Sequence, residues 1–254
     1  MKITQTYISE SVADFPWLKR LGLRPYDNPQ EPAIFFGMYR PDDIGTLYNH
    51  EGLAVVRWCG VDSLSVSNPA PYQAPMVYNI SPFPQVKRRL AEQGIDVKLI
   101  SLERIYPPTK PLPYGDKIYA YAPDVTGDYY GQSIIDSLRK RGYNILIGDG
   151  SISREEWDNG KADELYSQCY IGLVLSPYVG GGASVIELGL RGRICITNVL
   201  STANTLPWRT IDDIIFHLDL WKRVGPICIN QISRKTHAAL KDADWLNTEY
   251  YVSL

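Results

Sequence analysis

The stretch Tyr170–Asn198, YIGLVLSPYVGGGASVIELGLRGRICITN, constrains the fold more than any other part of the chain. Its apolar run 171–175 predicts a buried strand, Gly180, Gly181 and Gly182 a close loop, 183–191 a helix stopped at Gly192, and 193–197 a second strand. Strand, glycine loop, helix and strand in that order form a unit of a parallel α/β sheet. Glycines let backbone approach a ligand closely. The first helix amides lack partners and sit at the positive end of the helix dipole, which suits an anion such as a diphosphate. Glu187, one turn into that helix, is placed to meet sugar hydroxyls.

The rest of the chain supplies similar units on both sides of a proline-rich break. Before it, strands are expected over 2–8, 33–39, 53–59, 76–80 and 95–102, with helices over 12–21, from Pro41, and from Ser81 as N-cap with Pro82 at the first helical position. The segment Tyr106–Tyr114, YPPTKPLPY, carries four prolines in nine residues and reads as a domain linker. After it come a strand over 117–122, a helix over 131–141, a strand over 143–147 and the turn Gly148-Asp149-Gly150. A helix over 161–169 follows, with Leu165 and Cys169 inward. Beyond Asn198, a helix capped by Thr210 and stopped at Gly225 is expected, then a short strand PICIN and a terminal helix through Trp245. The expected domains are residues 1–108 and 114–235, with 236–254 packing back toward the first; 254 residues suit two domains of about 100–150 each.

Composition excludes several classes. A net charge of −2 argues against a strongly basic nucleic-acid coat, leaving only local contact with a polyanion. The cysteines Cys59, Cys169, Cys195 and Cys228 lack CxxC spacing and read as reduced core residues. MKITQTYISE has no apolar signal core, and no run approaches roughly 18 apolar residues. The expectation is a cytoplasmic protein, or one in a host cytoplasm if virus-encoded, without stable membrane insertion. Eighteen tyrosines and six tryptophans provide amphipathic surfaces that suit sugars and bases as well as ordinary packing.

The segment SPYVGGGASVIELGLRGRICITN resembles the donor-binding segment of GT-B glycosyltransferases, in which a loop of small residues precedes a helix glutamate and then a strand. YAYAPDVTGDYYGQSIIDSL looks like the strand, loop and helix that open the donor domain, and FFGMY with VVRWCGVD looks like two acceptor-domain strands. The resemblance implies two Rossmann-like parallel-sheet domains facing a cleft, in a compact version. It also implies a nucleoside-diphosphate sugar such as a UDP-sugar as co-substrate, with no other cofactor. On it, Gly180, Gly181, Gly182, Ala183 and Ser184 offer amides to the diphosphate, and Ser184 its hydroxyl. Glu187 accepts from the ribose, Gly148 and Ser151 flank the nucleobase, and Tyr130 and Gly131 approach the donor.

Glycosyl transfer must stabilise a departing diphosphate and an oxocarbenium-like sugar. Helix-start amides meet the first need without metal, so metal independence is expected. Asp242-Ala243-Asp244 imitates a metal-binding DxD but lies in the expected terminal helix. An inverting reaction needs a base near the acceptor hydroxyl. Asp62, in the turn after a first-domain strand, is the first choice, and Asp43 the second; their alternative readings are a turn aspartate and a helix-start carboxylate. Val179 stands where retaining relatives with paired glutamates carry the first of the pair, which leaves retention or inversion open.

Two other classes compete. A nicotinamide-dependent enzyme would need GxGxxG, but from Gly180 the sixth position is Val185, and the next strand ends at Thr197-Asn198 without an acidic residue. A non-catalytic sugar or nucleotide binder would keep the fold and lose the chemistry. The acceptor is expected to be a glycan or a hydroxymethylated pyrimidine of phage-type DNA; the oligomeric state is left open.

Overall fold

The computed structural model describes residues 2–12, 21–101, 109–123, 127–148, 160–178, 182–240 and 244–249. The helix expected over 12–21, the first part of YPPTKPLPY, the turn beyond Gly148 and Asp242-Ala243 fall largely outside them. The chain divides into two compact units, Met1–Ile105 with Lys241–Leu254, and Tyr106–Leu240. Each is built on a parallel sheet.

In the first unit the strands are β1 (Gln5–Ile8), β2 (Arg24–Pro25), β3 (Ala33–Phe36), β4 (Ala54–Arg57), β5 (Val77–Ser81) and β6 (Val97–Leu99). They are hydrogen-bonded in the order β2-β1-β3-β4-β5-β6, all parallel. AIFF and AVVR are buried at every position, as continuous apolar runs are when both faces of a parallel sheet are covered. Ile3, Ile34, Phe36, Val55 and Ile80 join Leu246 in one core cluster, and Ile3 N–H donates to the Leu246 carbonyl at 2.9 Å. The helices are α1 (Pro41–Tyr48) and α2 (Pro84–Ala91). The second starts later than expected. Ser81 is the last residue of β5, and its hydroxyl accepts from Phe83 N–H at 3.2 Å, so Ser81 shapes the turn while Pro84 opens the helix.

The second unit holds β7 (Lys117–Tyr121), β8 (Ile145–Gly148), β9 (Cys169–Val174), β10 (Ile194–Thr197) and β11 (Thr205–Leu206). Their order is β11-β10-β9-β7-β8, again all parallel. The helices are α3 (Gln132–Lys140), α4 (Ala162–Ser167), α5 (Gly182–Leu190) and α6 (Ile211–Ala239). At the entry to this sheet the wholly buried Arg193 gathers backbone carbonyls. It donates to Cys169 at 2.9 Å, Leu112 at 3.0 Å and Arg191 at 2.6 Å, and also to Pro113. Burial lowers its pKa to about 10, and its guanidinium lies 5.3 Å from the Tyr114 ring centroid.

α6 corrects the sequence reading. Thr210 caps it as expected, accepting from Asp213 N–H, but the helix then runs 29 residues through Gly225, Pro226 and the whole of PICIN. Gly225 is there for space rather than as a stop. A Cβ at that position would overlap the Tyr114 hydroxyl, which donates to the Trp221 carbonyl at 3.0 Å. Pro226 lacks an N–H and ordinarily disrupts a helix interior, yet burial of Ile214, Leu218, Ile232 and Thr236 along one stripe holds both halves on the sheet.

Gly225→Ala is therefore expected to destabilise the protein by about 1–3 kcal/mol through overpacking, more than the roughly 1 kcal/mol that helix propensity returns. In a Tyr114→Ala background the same substitution becomes neutral or stabilising. Denaturant unfolding of the four variants of the cycle checks this, and a stabilising Gly225→Ala in the parent would contradict it.

Candidate functional site

The second sheet reverses direction between β7 and β9: the chain steps out to β8, then returns to lay β9 on the other side of β7. In open α/β sheets, ligands bind beyond the carboxyl ends of the strands at such a reversal. The loops after these two strands touch. Gly131, at φ 76°, starts α3 in the left-handed region, and a Cβ there would lie 2.7 Å from Leu175 Cβ. Tyr130 is half-buried, with ring centroids 5.5 Å from Tyr121 and 5.0 Å from Tyr129. Burial raises the Tyr121 hydroxyl to about 12, so it stays protonated near neutrality. The start of α3 carries its own carboxylate: Asp128 accepts from Ser133 N–H at 2.7 Å and from its hydroxyl at 2.9 Å.

α5 enters the same crevice from β9. Gly182, Ala183 and Ser184 form its first turn, and their N–H groups precede the intrahelical ladder. From Ser184 to Leu190 every residue is buried, and two of them are polar. Helical side chains lean toward the N-terminus, so Glu187 points back toward the mouth of the sheet. Glu187 is 5% exposed and accepts from the Tyr166 hydroxyl at 3.0 Å. Ser184 lies within hydrogen-bonding reach of the Tyr119 and Tyr166 hydroxyls. Its hydroxyl thus serves a buried network, while the expected diphosphate contact is left to its amide.

Sequence reasoning missed both tyrosines. The helix expected over 161–169 turns Leu165 and Cys169 inward; the structure buries Cys169, as the first residue of β9, with Ala162 and Tyr166, and leaves Leu165 partly exposed. The available signal was the spacing 162, 166, 169, with Cys169 following on the same side. Tyr119 also explains Gly148. A Cβ on Gly148 would overlap the Tyr119 hydroxyl, so the glycine makes room for a side chain of the sheet.

Asp43 and Asp62 both have structural occupations in the first unit. Its sheet reverses between β1 and β3, and Asp43 ties the loops that follow those strands. Its carboxylate accepts from Tyr7 and Ser9 hydroxyls, each at 2.8 Å, and from the N–H groups of Tyr39 and Arg40 at 2.9 and 2.7 Å. Asp62 is wholly buried and accepts from the amides of Cys59, Gly60 and Ser63, the shortest at 2.7 Å. Burial pushes its carboxyl above the usual range, opposed by those amides and by the Arg57 charge. With no exposed oxygen, Asp62 in this conformation closes a turn. The geometry thus favours the turn and helix-start readings over the base.

Gly180, Gly181, Val179 and Ser151 lie outside the described residues. Among the described residues, no three His, Cys, Asp or Glu side chains are grouped to hold a metal ion, and no helix is long and apolar enough to cross a membrane. The four cysteines are free thiols.

These features define a fold class, that of the GT-B glycosyltransferases, with two parallel-sheet α/β units. Sucrose-phosphate synthase from Thermosynechococcus elongatus superposes with a TM-score of 0.56 at 12% identity, over 87% of this chain and 72% of that one. A Staphylococcus aureus TarM variant, solved with fondaparinux, α-GlcNAc-glycerol and UDP, gives 0.54 at 12% identity, over 87% of this chain and 54% of its own. The pneumococcal O-GlcNAc transferase GtfA, solved with UDP and GlcNAc, gives 0.50 at 13% identity, over 93% and 58%. The chain thus spans little more than half the length of TarM and GtfA. No family model and no curated protein matches it by sequence.

Removing the Asp62 carboxylate is expected to cost about 2 kcal/mol or more of stability, because it strands buried amide donors. Asp62→Ala should lower the urea midpoint of unfolding while nucleotide affinity in the second unit stays unchanged. An unaltered midpoint with lost turnover would restore Asp62 to the chemistry.

Proposed function

We propose that this chain is a glycosyltransferase that takes its sugar from a nucleoside-diphosphate donor, bound where the second sheet reverses between β7 and β9. The observation that carries the reading is α5: a helix start facing that reversal, with one carboxylate behind it, in a chain whose fold neighbours are glycosyltransferases. The first-turn amides Gly182, Ala183 and Ser184, together with Gly180 and Gly181, receive the diphosphate. Positive potential at the helix start then stabilises the charge that develops on the departing group, without a metal. Glu187 accepts hydrogen bonds from the ribose hydroxyls, and the Tyr130–Gly131 loop closes the opposite wall. A UDP-sugar is the first donor to test, since TarM and GtfA were solved with UDP.

The acceptor is a hydroxyl of a glycan or of a hydroxymethylated pyrimidine in DNA. Stereochemistry stays open. One observation favours a second reading, a nucleotide-sugar binder without turnover: Asp43 and Asp62 are both committed to amides and hydroxyls of their own loops.

Mass-spectrometric screening of nucleotide sugars for hydrolysis and transfer separates the two readings; release of nucleoside diphosphate is expected for the enzyme, and none for the binder. A saturating nucleoside diphosphate should raise the melting temperature, since ligand at about a hundred times its Kd contributes roughly 2.7 kcal/mol. Glu187→Ala should weaken that effect by about tenfold in affinity. Absence of any shift with UDP, GDP or ADP at millimolar concentration would overturn the donor site.

A further inference from the structure

Three buried hydroxyl side chains from different elements lie near the Glu187 carboxylate. Tyr119 comes from β7, Tyr166 from α4 and Ser184 from the first turn of α5; they are 1%, 0% and 6% exposed. The Tyr166 hydroxyl donates to Glu187 Oε2 at 3.0 Å. Tyr119 packs edge-on against the Tyr166 ring at 5.1 Å between centroids. From the other side the Arg191 guanidinium lies 5.2 Å from the Tyr166 ring centroid, fixed by Asp163 at 2.6 Å and by the Glu187 carbonyl at 3.2 Å. Tyr166 is thereby packed against Tyr119 and Arg191 while its hydroxyl donates to the Glu187 carboxylate.

We propose that Tyr166 is a positioning residue of the donor site: its hydroxyl sets the Glu187 carboxylate in the orientation that receives the ribose hydroxyls, with Ser184 and Tyr119 fixing Tyr166 in turn. This rests on the donor reading given above and adds the device by which it discriminates a ribonucleotide from a deoxyribonucleotide. Burial holds the Tyr119 and Tyr166 hydroxyls well above the normal range, so both stay protonated through the neutral pH region. A rigid supporting layer of this kind is what keeps a recognition carboxylate within the tolerance that hydrogen bonding demands.

The test compares the affinities of UDP, GDP and ADP with those of their 2′-deoxy and 3′-deoxy counterparts by calorimetry, in the parent protein, Glu187→Gln, Tyr166→Phe and Ser184→Ala. The parent is expected to prefer at least one ribonucleotide over a deoxy form by about tenfold, the usual effect of a hydrogen bond to a charged group. Tyr166→Phe keeps the ring and should lose most of that preference through weaker ribonucleotide binding, with deoxynucleotide affinity unchanged. Ser184→Ala should lose part of it. Full preference in Tyr166→Phe, or equal weakening of ribo and deoxy forms, would overturn the positioning role and leave a packing role only. If Tyr166→Phe does not fold, an undiminished preference in Ser184→Ala overturns it. Loss of preference in Glu187→Gln alone leaves the donor site standing and removes Tyr166 from it. Failure of every nucleotide to bind the parent, or undiminished preference in Glu187→Gln, sinks the Glu187 reading itself and the inference with it.

Discussion

A carboxylate inside an otherwise apolar helix is the constraint on which the second unit depends. α5 lies against the buried strands β9 and β10, so from Ser184 to Leu190 it has no exposed face. A carboxyl group taken out of water into such a place is costly unless it is hydrogen-bonded. The fold meets that demand with Tyr166, whose ring Tyr119 packs edge-on. Those partners in turn dictate local features: α4 buries its tyrosine in place of its leucine, and Gly148 stays without a side chain so that Tyr119 can pass.

The first unit uses its acids differently. Asp43 and Asp62 each gather backbone amides at the carboxyl end of the sheet, Asp43 across the reversal between β1 and β3, Asp62 within the turn after β4. Buried amide donors left without partners cost about 1–3 kcal/mol each, which accounts for aspartates at these positions without any reaction. The same bonds keep both carboxylates buried. Two sheets of similar topology thus differ in how they treat charge at their mouths, the first neutralising it internally, the second presenting a helix start.

Much of the fold was legible because parallel strands buried on both faces announce themselves as continuous apolar runs: AIFF, AVVR and the run within Cys169–Val174 all lie where expected, with trimmed ends. The helix that follows β9, with its glutamate, was legible for the same local reason. What failed was whatever depended on partners distant in sequence. Gly225-Pro226 reads locally as a helix stop, but Tyr114, more than a hundred residues earlier, fills the space and α6 runs on. Tyr166 was invisible as a site residue because its meaning lies in Glu187, on another helix. Ser81 has cap chemistry, yet it acts one turn early because β5 extends to include it.

Hydrogen exchange read by mass spectrometry, with and without a saturating nucleoside diphosphate, tests most directly whether the second unit binds a donor at its sheet reversal. Slowed exchange is expected at the amides of Gly182, Ala183 and Ser184 and in the loop 127–131, with the first unit unchanged in the absence of acceptor. Protection confined to residues 2–101, or spread evenly over both units, would contradict it.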